Sequence, residues 1–296
     1  MKIPIFTGSS TAIVTPFRDG KVDYRKFAEL IDFQIAGGTV AITVCGTTGE
    51  SSTQSLEEHI ATIDFCVKHV NGRIKVIAGT GSNDTQDALF LSQEAEKSGA
   101  DAVLLVTPYY NKTTQRGLVK HFSFVADRIN IPLILYNVPG RTGMTFTADT
   151  YKELSKHPNI NGVKEASGNY NLISSTLAQC GDDLIVWSGN DEDVVAMMSL
   201  GAKGVISVLS NIAPAVTAEM TQLCLDGDFR SAAKIQLKYL DLIGKLFIEV
   251  NPMPIKAAMN LMGMDVGEPR LPLCDMAPEN LEKLRKSMAA VGLLGA

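Results

Sequence analysis

Lys164 is the residue of this sequence that most directly suggests chemistry. It stands in GVKE at positions 162–165, a short run whose apolar character predicts a buried strand. Burial of a lysine disfavours its charged form and leaves a neutral amine that can attack a carbonyl carbon. A lysine that escapes to the rim of the fold would be an ordinary solvated residue, and this segment alone does not decide between the two. The first hypothesis is therefore Schiff-base chemistry.

Hydroxyl, phenol and guanidinium groups follow other apolar runs. Thr47 and Thr48 lie in the turn GTTGE at 46–50, where two hydroxyls and flexible amides could hold a small carboxylate. Tyr110 follows one run, Tyr136 ends another, and Arg141 comes after it in a Pro-Gly turn, where its planar fork suits a carboxylate. Taken singly, these residues could equally be turn, core or solvated surface residues.

These side chains need a scaffold that gathers strand ends. Short runs rich in Val, Ile and Ala alternate with helical periodicity. The predicted strands are 11–14, 41–45, 75–79, 102–106, 132–136, 162–164, 184–188 and 204–207. Eight parallel strands close a (β/α)8 TIM barrel, an α/β fold whose active sites lie at the C-terminal strand ends. An open doubly wound sheet is the alternative, but positions 9–20 lack its usual GxGxxG turn.

Helix signals fall between these strands. Ser55 opens a capping box for a helix to about Val70, and Asp84 caps a helix to Ser98 that Gly99 ends. After the eighth strand, helical patterns cover 213–225, 229–250, 254–262 and 278–291. We therefore predict a barrel domain over residues 1–226 and a C-terminal helical extension over residues 227–296.

Composition excludes several classes of partner. The 296 residues are 45% hydrophobic and 20% charged, which is typical of a globular protein. A net charge of −5 with scattered cations argues against nucleic acid as a partner. No apolar run approaches the ~20 residues of a membrane helix, and the N-terminus has no signal pattern. We expect a cytoplasmic protein that binds small molecules.

Cysteine and histidine spacing argues against bound metal. The five cysteines contain no CxxC pair and the four histidines no HxxxH, so we expect reduced thiols, no metal and no cofactor. The loop SGNDED at 188–193 is acidic and would repel a phosphorylated substrate.

Four segments, taken in chain order, resemble the dihydrodipicolinate synthase family, which is part of the wider family of pyruvate-dependent Schiff-base lyases and aldolases. They are GTTGE at 46–50, TPYYN at 107–111, YNVPGRT at 136–142 and GVKEAS at 162–167. The similarity extends from about Phe6 to the C-terminal helices. Lys164 marks the wider family, whereas Arg141 and the paired threonines mark the synthases.

The resemblance implies a reaction and a set of roles. Lys164 would form an imine with pyruvate, and the derived enamine would add to L-aspartate 4-semialdehyde to give 4-hydroxy-tetrahydrodipicolinate, a step towards diaminopimelate and lysine. Tyr136, Thr47 and Tyr110 would relay protons, with Tyr110 reaching in from a neighbouring subunit of a homotetramer made of two tight dimers.

The resemblance also implies how the substrates are held. Thr48 would bind the pyruvate carboxylate, the backbone of Ile206 and Gly189 would line the pocket, and Arg141 would pair with the carboxylate of the semialdehyde. A sibling such as N-acetylneuraminate lyase, or a 2-keto-3-deoxy sugar acid aldolase, would share Lys164 but has less use for Arg141. A non-catalytic ligand-binding barrel is the third alternative.

A regulatory pocket is a further expectation. Members of the family that lysine inhibits bind it at the dimer interface, and four residues here match their pattern: Ser51, His59, Asn83 and Tyr109. Leu56 stands where those members have histidine, and Asp87 where they have glutamate. Asp87 keeps the charge on a shorter side chain, whereas Leu56 offers neither a donor nor an acceptor. We therefore expect weak inhibition by L-lysine.

Overall fold

Eight parallel strands form a closed barrel in the computed structural model, which describes residues 1–295. Each strand pairs with its neighbours in the sequence, and the first pairs with the last through Gly8↔Gly204 to Thr11↔Ser207. The strands are β1 Gly8–Ala12, β2 Ala41–Val44, β3 Lys75–Gly79, β4 Ala102–Val106, β5 Leu133–Asn137, β6 Ile160–Glu165, β7 Ile185–Ser188 and β8 Gly204–Ser207. The predicted TIM barrel is confirmed.

Helices surround the barrel and continue after it. They are α1 Tyr24–Ala36, α2 Leu56–Val70, α3 Thr85–Ser98, α4 Gln115–Ala126, α5 Pro139–Thr142, α6 Ala148–Ser155, α7 Tyr170–Cys180, α8 Val194–Ser199, α9 Pro214–Leu225, α10 Phe229–Lys245, α11 Met253–Leu261 and α12 Pro278–Ala290. A short hairpin, Phe17–Arg18 with Lys21–Val22, follows β1. None of the helices within residues 1–295 is long and apolar enough to cross a membrane.

The capping signals act as the sequence predicts. The Ser55 side chain accepts from the Glu58 amide, and the Glu58 carboxylate accepts from the Ser55 amide, so both halves of the capping box are present. Asp84 accepts from two amides of the first turn of α3, and Gly99 ends that helix at a φ of +90°, which favours glycine.

Apolar side chains fill the barrel interior. Trp187 is fully buried, stacks on Phe6 with ring centroids 5.1 Å apart, and donates its indole N–H to the Phe6 carbonyl. Tyr136 and Ile206 belong to the same internal cluster. The interior is thus a packed core, and polar residues at the C-terminal strand ends face the mouth.

The C-terminal helices pack on the barrel rather than apart from it. Leu242, Leu246, Leu284 and Met288 are fully buried in the same hydrophobic core as the barrel helices. The division of the chain at residue 226 stays a prediction.

Two element boundaries differ from the sequence prediction by three residues or more, and the others agree within two residues. β1 begins at Gly8, because its first residues are small and polar and gave no apolar signal. Gly204 pairs with Gly8 so closely that a Cβ there would lie 2.0 Å from the Gly8 carbonyl oxygen. α10 ends at Lys245 rather than at residue 250, because the chain then turns so that Asn251 meets the barrel mouth.

Candidate active site

Lys164 lies inside the barrel, one residue before the end of β6. Its side chain is 6% exposed, and Nζ is 4.5 Å from the centroid of the Tyr136 ring. Within residues 1–295 its Nζ makes no hydrogen bond and no ion pair with a carboxylate. The amine is therefore buried, unpaired and held against an aromatic face.

The strand register brings Tyr136 and Lys164 together. The two residues are direct partners across β5 and β6, so their side chains lie on the same interior face. Gly189, after β7, lies over the Lys164 side chain, and a Cβ there would be 3.1 Å from its Cγ and Cε. The predicted pocket residue Ile206 is fully buried in the same interior.

Glu165 fixes the strand end that carries Lys164. Its carboxylate accepts from the Tyr151 hydroxyl at 2.7 Å, from the Ser167 amide at 2.8 Å and from the Asn137 amide group at 3.1 Å. Burial raises the pKa of Tyr151, and the Glu165 charge raises it further, so the phenol remains a donor. Sequence reasoning missed this anchor, although a charged residue within a buried strand was its signal.

Thr48 is tied to the C-terminal part of the chain. It is 3% exposed, and its hydroxyl oxygen accepts a hydrogen bond from Asn251 Nδ2 at 2.9 Å. Thr47, one residue earlier, lines an open cavity of about 430 Å³ at the mouth. Asn251 is 203 residues away in sequence, so no local pattern could reveal this contact.

A buried ion pair ends the same turn. Glu50 and Lys256 have side chains 0% and 1% exposed, and their charged atoms are 2.6 Å apart. The second Glu50 oxygen accepts from the Arg270 amide at 2.8 Å. Burial lowers the pKa of Lys256, and the Glu50 charge opposes that shift. The pair joins the turn after β2 to α11 and was also missed from the sequence.

Arg141 lies at the rim of the mouth in the short helix α5. It is exposed, it lines the 430 Å³ cavity with Thr47, and its Nη2 donates to the Asn251 carbonyl at 3.1 Å. The guanidinium is therefore oriented by Asn251 while it faces the cavity.

Two carboxylates of the acidic loop after β7 make internal hydrogen bonds. Asp191 is buried and accepts from the Ser207 hydroxyl and from two backbone amides, and Asp193 accepts from the Tyr170 hydroxyl. Burial raises the pKa of Asp191, and its hydrogen bonds oppose the rise. Two of the three carboxylates are thus internal anchors, and the repulsion of a phosphorylated substrate by this loop stays a prediction.

Tyr110 is not part of the mouth of its own chain. It is 91% exposed, with a φ of +65°, a left-handed conformation that bulky residues rarely adopt. Of the predicted relay, one chain therefore places Tyr136 beside Lys164 and Thr47 on the cavity wall, and it leaves Tyr110 projecting outward.

Most of the predicted regulatory residues share the open cavity. Its lining includes Ser51, Leu56, His59, Asp87 and Tyr109. The His59 ring is buried and bonded to the Gly79 carbonyl at 2.7 Å, and burial lowers its pKa, so it is neutral at pH 7.

Asn83 departs from that group. It lines a neighbouring cavity of about 340 Å³ with Asn111, whose side chain donates to the Asn83 carbonyl at 2.9 Å.

Within residues 1–295, no three His, Cys, Asp or Glu side chains cluster as metal ligands. All five cysteines are free thiols, four of them buried and Cys274 exposed. The expectation of a reaction without metal or cofactor stays a prediction.

Comparison with known proteins assigns the chain. The model of the dihydrodipicolinate synthetase family matches residues 5–291. The 4-hydroxy-tetrahydrodipicolinate synthase of Acetivibrio thermocellus is 53% identical over 294 residues, covering 99% of this chain and 100% of that protein. The protein of the same name from Clostridium novyi is 52% identical over 284 residues, covering 96% of this chain and 96% of that protein.

Solved structures agree with this assignment. Dihydrodipicolinate synthase from Aquifex aeolicus is 48% identical with a TM-score of 0.95, covering 97% of this chain and 99% of that one. A dihydrodipicolinate synthase variant described as monomeric is 40% identical with a TM-score of 0.96, covering 98% of each. With its barrel, its buried lysine and relatives matched over nearly their whole length, this chain belongs to the dihydrodipicolinate synthetase family.

Proposed function

We propose that the protein condenses pyruvate with L-aspartate 4-semialdehyde to form 4-hydroxy-tetrahydrodipicolinate, through an imine on Lys164. The observation that carries the proposal is the buried Lys164 amine, which has no ion-pair partner and lies 4.5 Å from the Tyr136 ring centroid. The curated relatives that cover the chain carry the name of this activity. The protein is thus a class I, or Schiff-base, lyase.

The first half of the reaction activates pyruvate. The Lys164 amine attacks the ketone carbon through its nitrogen lone pair, and the ketone oxygen leaves as water, which gives a protonated imine. The positive nitrogen withdraws electrons, so the pyruvate methyl group loses a proton and an enamine forms. A packed barrel interior beside Lys164 favours these steps because it limits hydration of the amine.

The second half makes the carbon–carbon bond. The enamine carbon attacks the aldehyde carbon of the semialdehyde, whose oxygen takes up a proton and becomes a hydroxyl. The amino group of the adduct then attacks the imine carbon, closes the ring and expels Lys164 as a free amine. The cycle consumes both substrates and releases one water.

Proton transfer and substrate binding fall to the residues around Lys164. Tyr136 is nearest to the imine position and would exchange protons with it, with Thr47 next towards the cavity. Thr48 would hold the pyruvate carboxylate, and Arg141 the carboxylate of the semialdehyde. Gly189 would keep the space beside the Lys164 side chain open.

Assembly would complete the relay. We propose a homotetramer of two tight dimers, in which the exposed Tyr110 enters the mouth of a neighbouring chain. One related synthase is described as a monomeric variant, so the oligomeric state of this chain has to be measured. The product would feed diaminopimelate and lysine biosynthesis, and we place the reaction in the cytoplasm.

Product formation is the direct test. Purified protein with pyruvate and L-aspartate 4-semialdehyde should release 4-hydroxy-tetrahydrodipicolinate, followed by coupled reduction and by mass spectrometry. The same protein should not cleave N-acetylneuraminate. Turnover of N-acetylneuraminate without synthesis of the heterocycle would contradict the proposal.

A further inference from the structure

Asn251 touches both of the residues proposed to hold substrate carboxylates. It lies between α10 and α11 and is 4% exposed. Its Nδ2 donates to the Thr48 hydroxyl at 2.9 Å, and its backbone carbonyl accepts from Arg141 at 3.1 Å. Its Oδ1 is buried and has no hydrogen-bond partner within residues 1–295.

The bond to Thr48 has a direction that matters for pyruvate. A hydroxyl has one proton, and Thr48 can give it to a carboxylate only if its other partner donates. The amide nitrogen of Asn251 is such a partner. A flipped amide would instead take the Thr48 proton and leave the carboxylate without it. The proposed role of Thr48 therefore fixes Asn251 with Nδ2 towards the hydroxyl and Oδ1 free.

The Asn251 Oδ1 is a hydrogen-bond acceptor that can bind an N–H donor of a ligand. A buried carbonyl oxygen without a partner destabilises its surroundings, and a ligand that supplies a donor relieves this. Of the two proposed substrates only the semialdehyde has an amino group, and that group is on the carbon that bears its carboxylate. Arg141, which would bind that carboxylate, donates a hydrogen bond to the Asn251 backbone carbonyl.

We propose that Asn251 is a positioning and specificity residue that aligns both substrates: it orients the Thr48 hydroxyl towards the keto acid and accepts from the amino group of the semialdehyde. The proposal rests on the proposed function. In this proposal, Asn251 of the C-terminal segment is the residue that makes the enzyme prefer a second substrate with an α-amino group. An aldehyde acid without the amino group would lack this contact.

Two variants separate the two roles. Asn251→Ala removes both contacts, whereas Asn251→Asp keeps an oxygen for the amine and loses the N–H to Thr48. Asn161→Ala is the matched control, because Asn161 is also buried and its Oδ1 also has no hydrogen-bond partner. Asn161 lies near the start of β6, and its Nδ2 donates to the Ile3 carbonyl. The probes are pyruvate, L-aspartate 4-semialdehyde and 4-oxobutanoate, the same semialdehyde acid without its amino group.

Asn251→Ala should raise KM for the semialdehyde about tenfold or more, while the inhibition constant of 4-oxobutanoate changes less than about twofold. Asn251→Asp should raise KM for pyruvate about tenfold but keep the discrimination between semialdehyde and 4-oxobutanoate. Asn161→Ala should leave all three constants unchanged. Equal losses for the two aldehydes in Asn251→Ala, or none, would overturn the proposal.

Borohydride trapping of pyruvate, run on the same samples, keeps the two hypotheses apart. Wild-type protein that traps no pyruvate contradicts the proposed function. Wild-type protein that traps pyruvate, with variants that leave the aldehyde discrimination unchanged, overturns only the role of Asn251. If Asn251→Ala does not fold, Asn251→Asp decides: loss of discrimination, or an unchanged KM for pyruvate, refutes the assignment.

Discussion

A single methyl group added at Gly189 should disturb Lys164 directly. The φ of Gly189 is outside the left-handed region, so alanine can adopt its backbone without strain. Its Cβ would lie 2.7 Å from the Ala166 Cβ and 3.1 Å from the Lys164 Cγ and Cε. Gly189→Ala therefore tests how closely the lysine is packed, without touching any hydrogen-bonding group.

The size of the effect follows from these separations. Non-bonded carbons rest about 3.5 Å or more apart, so Ala166 must yield by about 0.8 Å and the lysine chain by about 0.4 Å. Since a 1 Å misplacement can cost about a hundredfold in rate, we expect imine formation to slow about five- to tenfold. Overpacking of this kind destabilises by about 1–3 kcal/mol, which for 296 residues lowers Tm by about 2–5 °C.

The assay is the rate of borohydride-trapped adduct with pyruvate alone, together with thermal unfolding. Gly244→Ala is the control, because its added Cβ in α10 would meet no atom within 4 Å other than the adjacent backbone of its own helix. It should leave trapping unchanged and stabilise slightly. Adding Ala166→Gly to Gly189→Ala removes the shorter contact only, so it should restore stability but not the rate. A normal trapping rate in Gly189→Ala would refute the packing argument.

Three further predictions concern assembly, the buried ion pair and regulation. Lys256→Met should lower the free energy of unfolding by about 3–5 kcal/mol, because Glu50 stays buried without its partner. The double variant with Glu50→Gln should recover most of this loss, and additive losses of the two substitutions in urea unfolding would contradict the prediction. L-Lysine should inhibit weakly, because Leu56 offers no hydrogen-bonding atom and Asp87 has a short side chain; half-inhibition well below millimolar in the coupled assay would show otherwise. Tyr110→Phe should lower kcat about a hundredfold with an unchanged circular dichroism spectrum. Wild-type protein that sediments as a monomer and is fully active would disprove the shared relay.

Local patterns were enough to predict the barrel and its main chemical groups. Strand alternation, the capping box at Ser55 and the glycine at position 99 are properties of a few adjacent residues, and each is confirmed. Lys164 and Tyr136 were found because a polar group at the end of an apolar run is unusual. Their mutual contact follows once the strands are in register.

Contacts between distant segments could not be predicted. Glu50 with Lys256 and Thr48 with Asn251 join parts of the chain more than 200 residues apart, and neither partner lies in a pattern that names the other. The end of α10 was misplaced for the same reason, because tertiary contacts at the mouth override helical periodicity. The anchoring role of Asp191 could not be predicted either, because it depends on backbone amides that follow β8.

The central claim is that Lys164 forms the imine. Protein incubated with pyruvate and sodium borohydride, digested and mapped by mass spectrometry, should carry one reduced pyruvyl group on Lys164. Lys164→Ala, folded as judged by its circular dichroism, should remain unlabelled and inactive. A label on another lysine, or full activity of Lys164→Ala, would contradict the account.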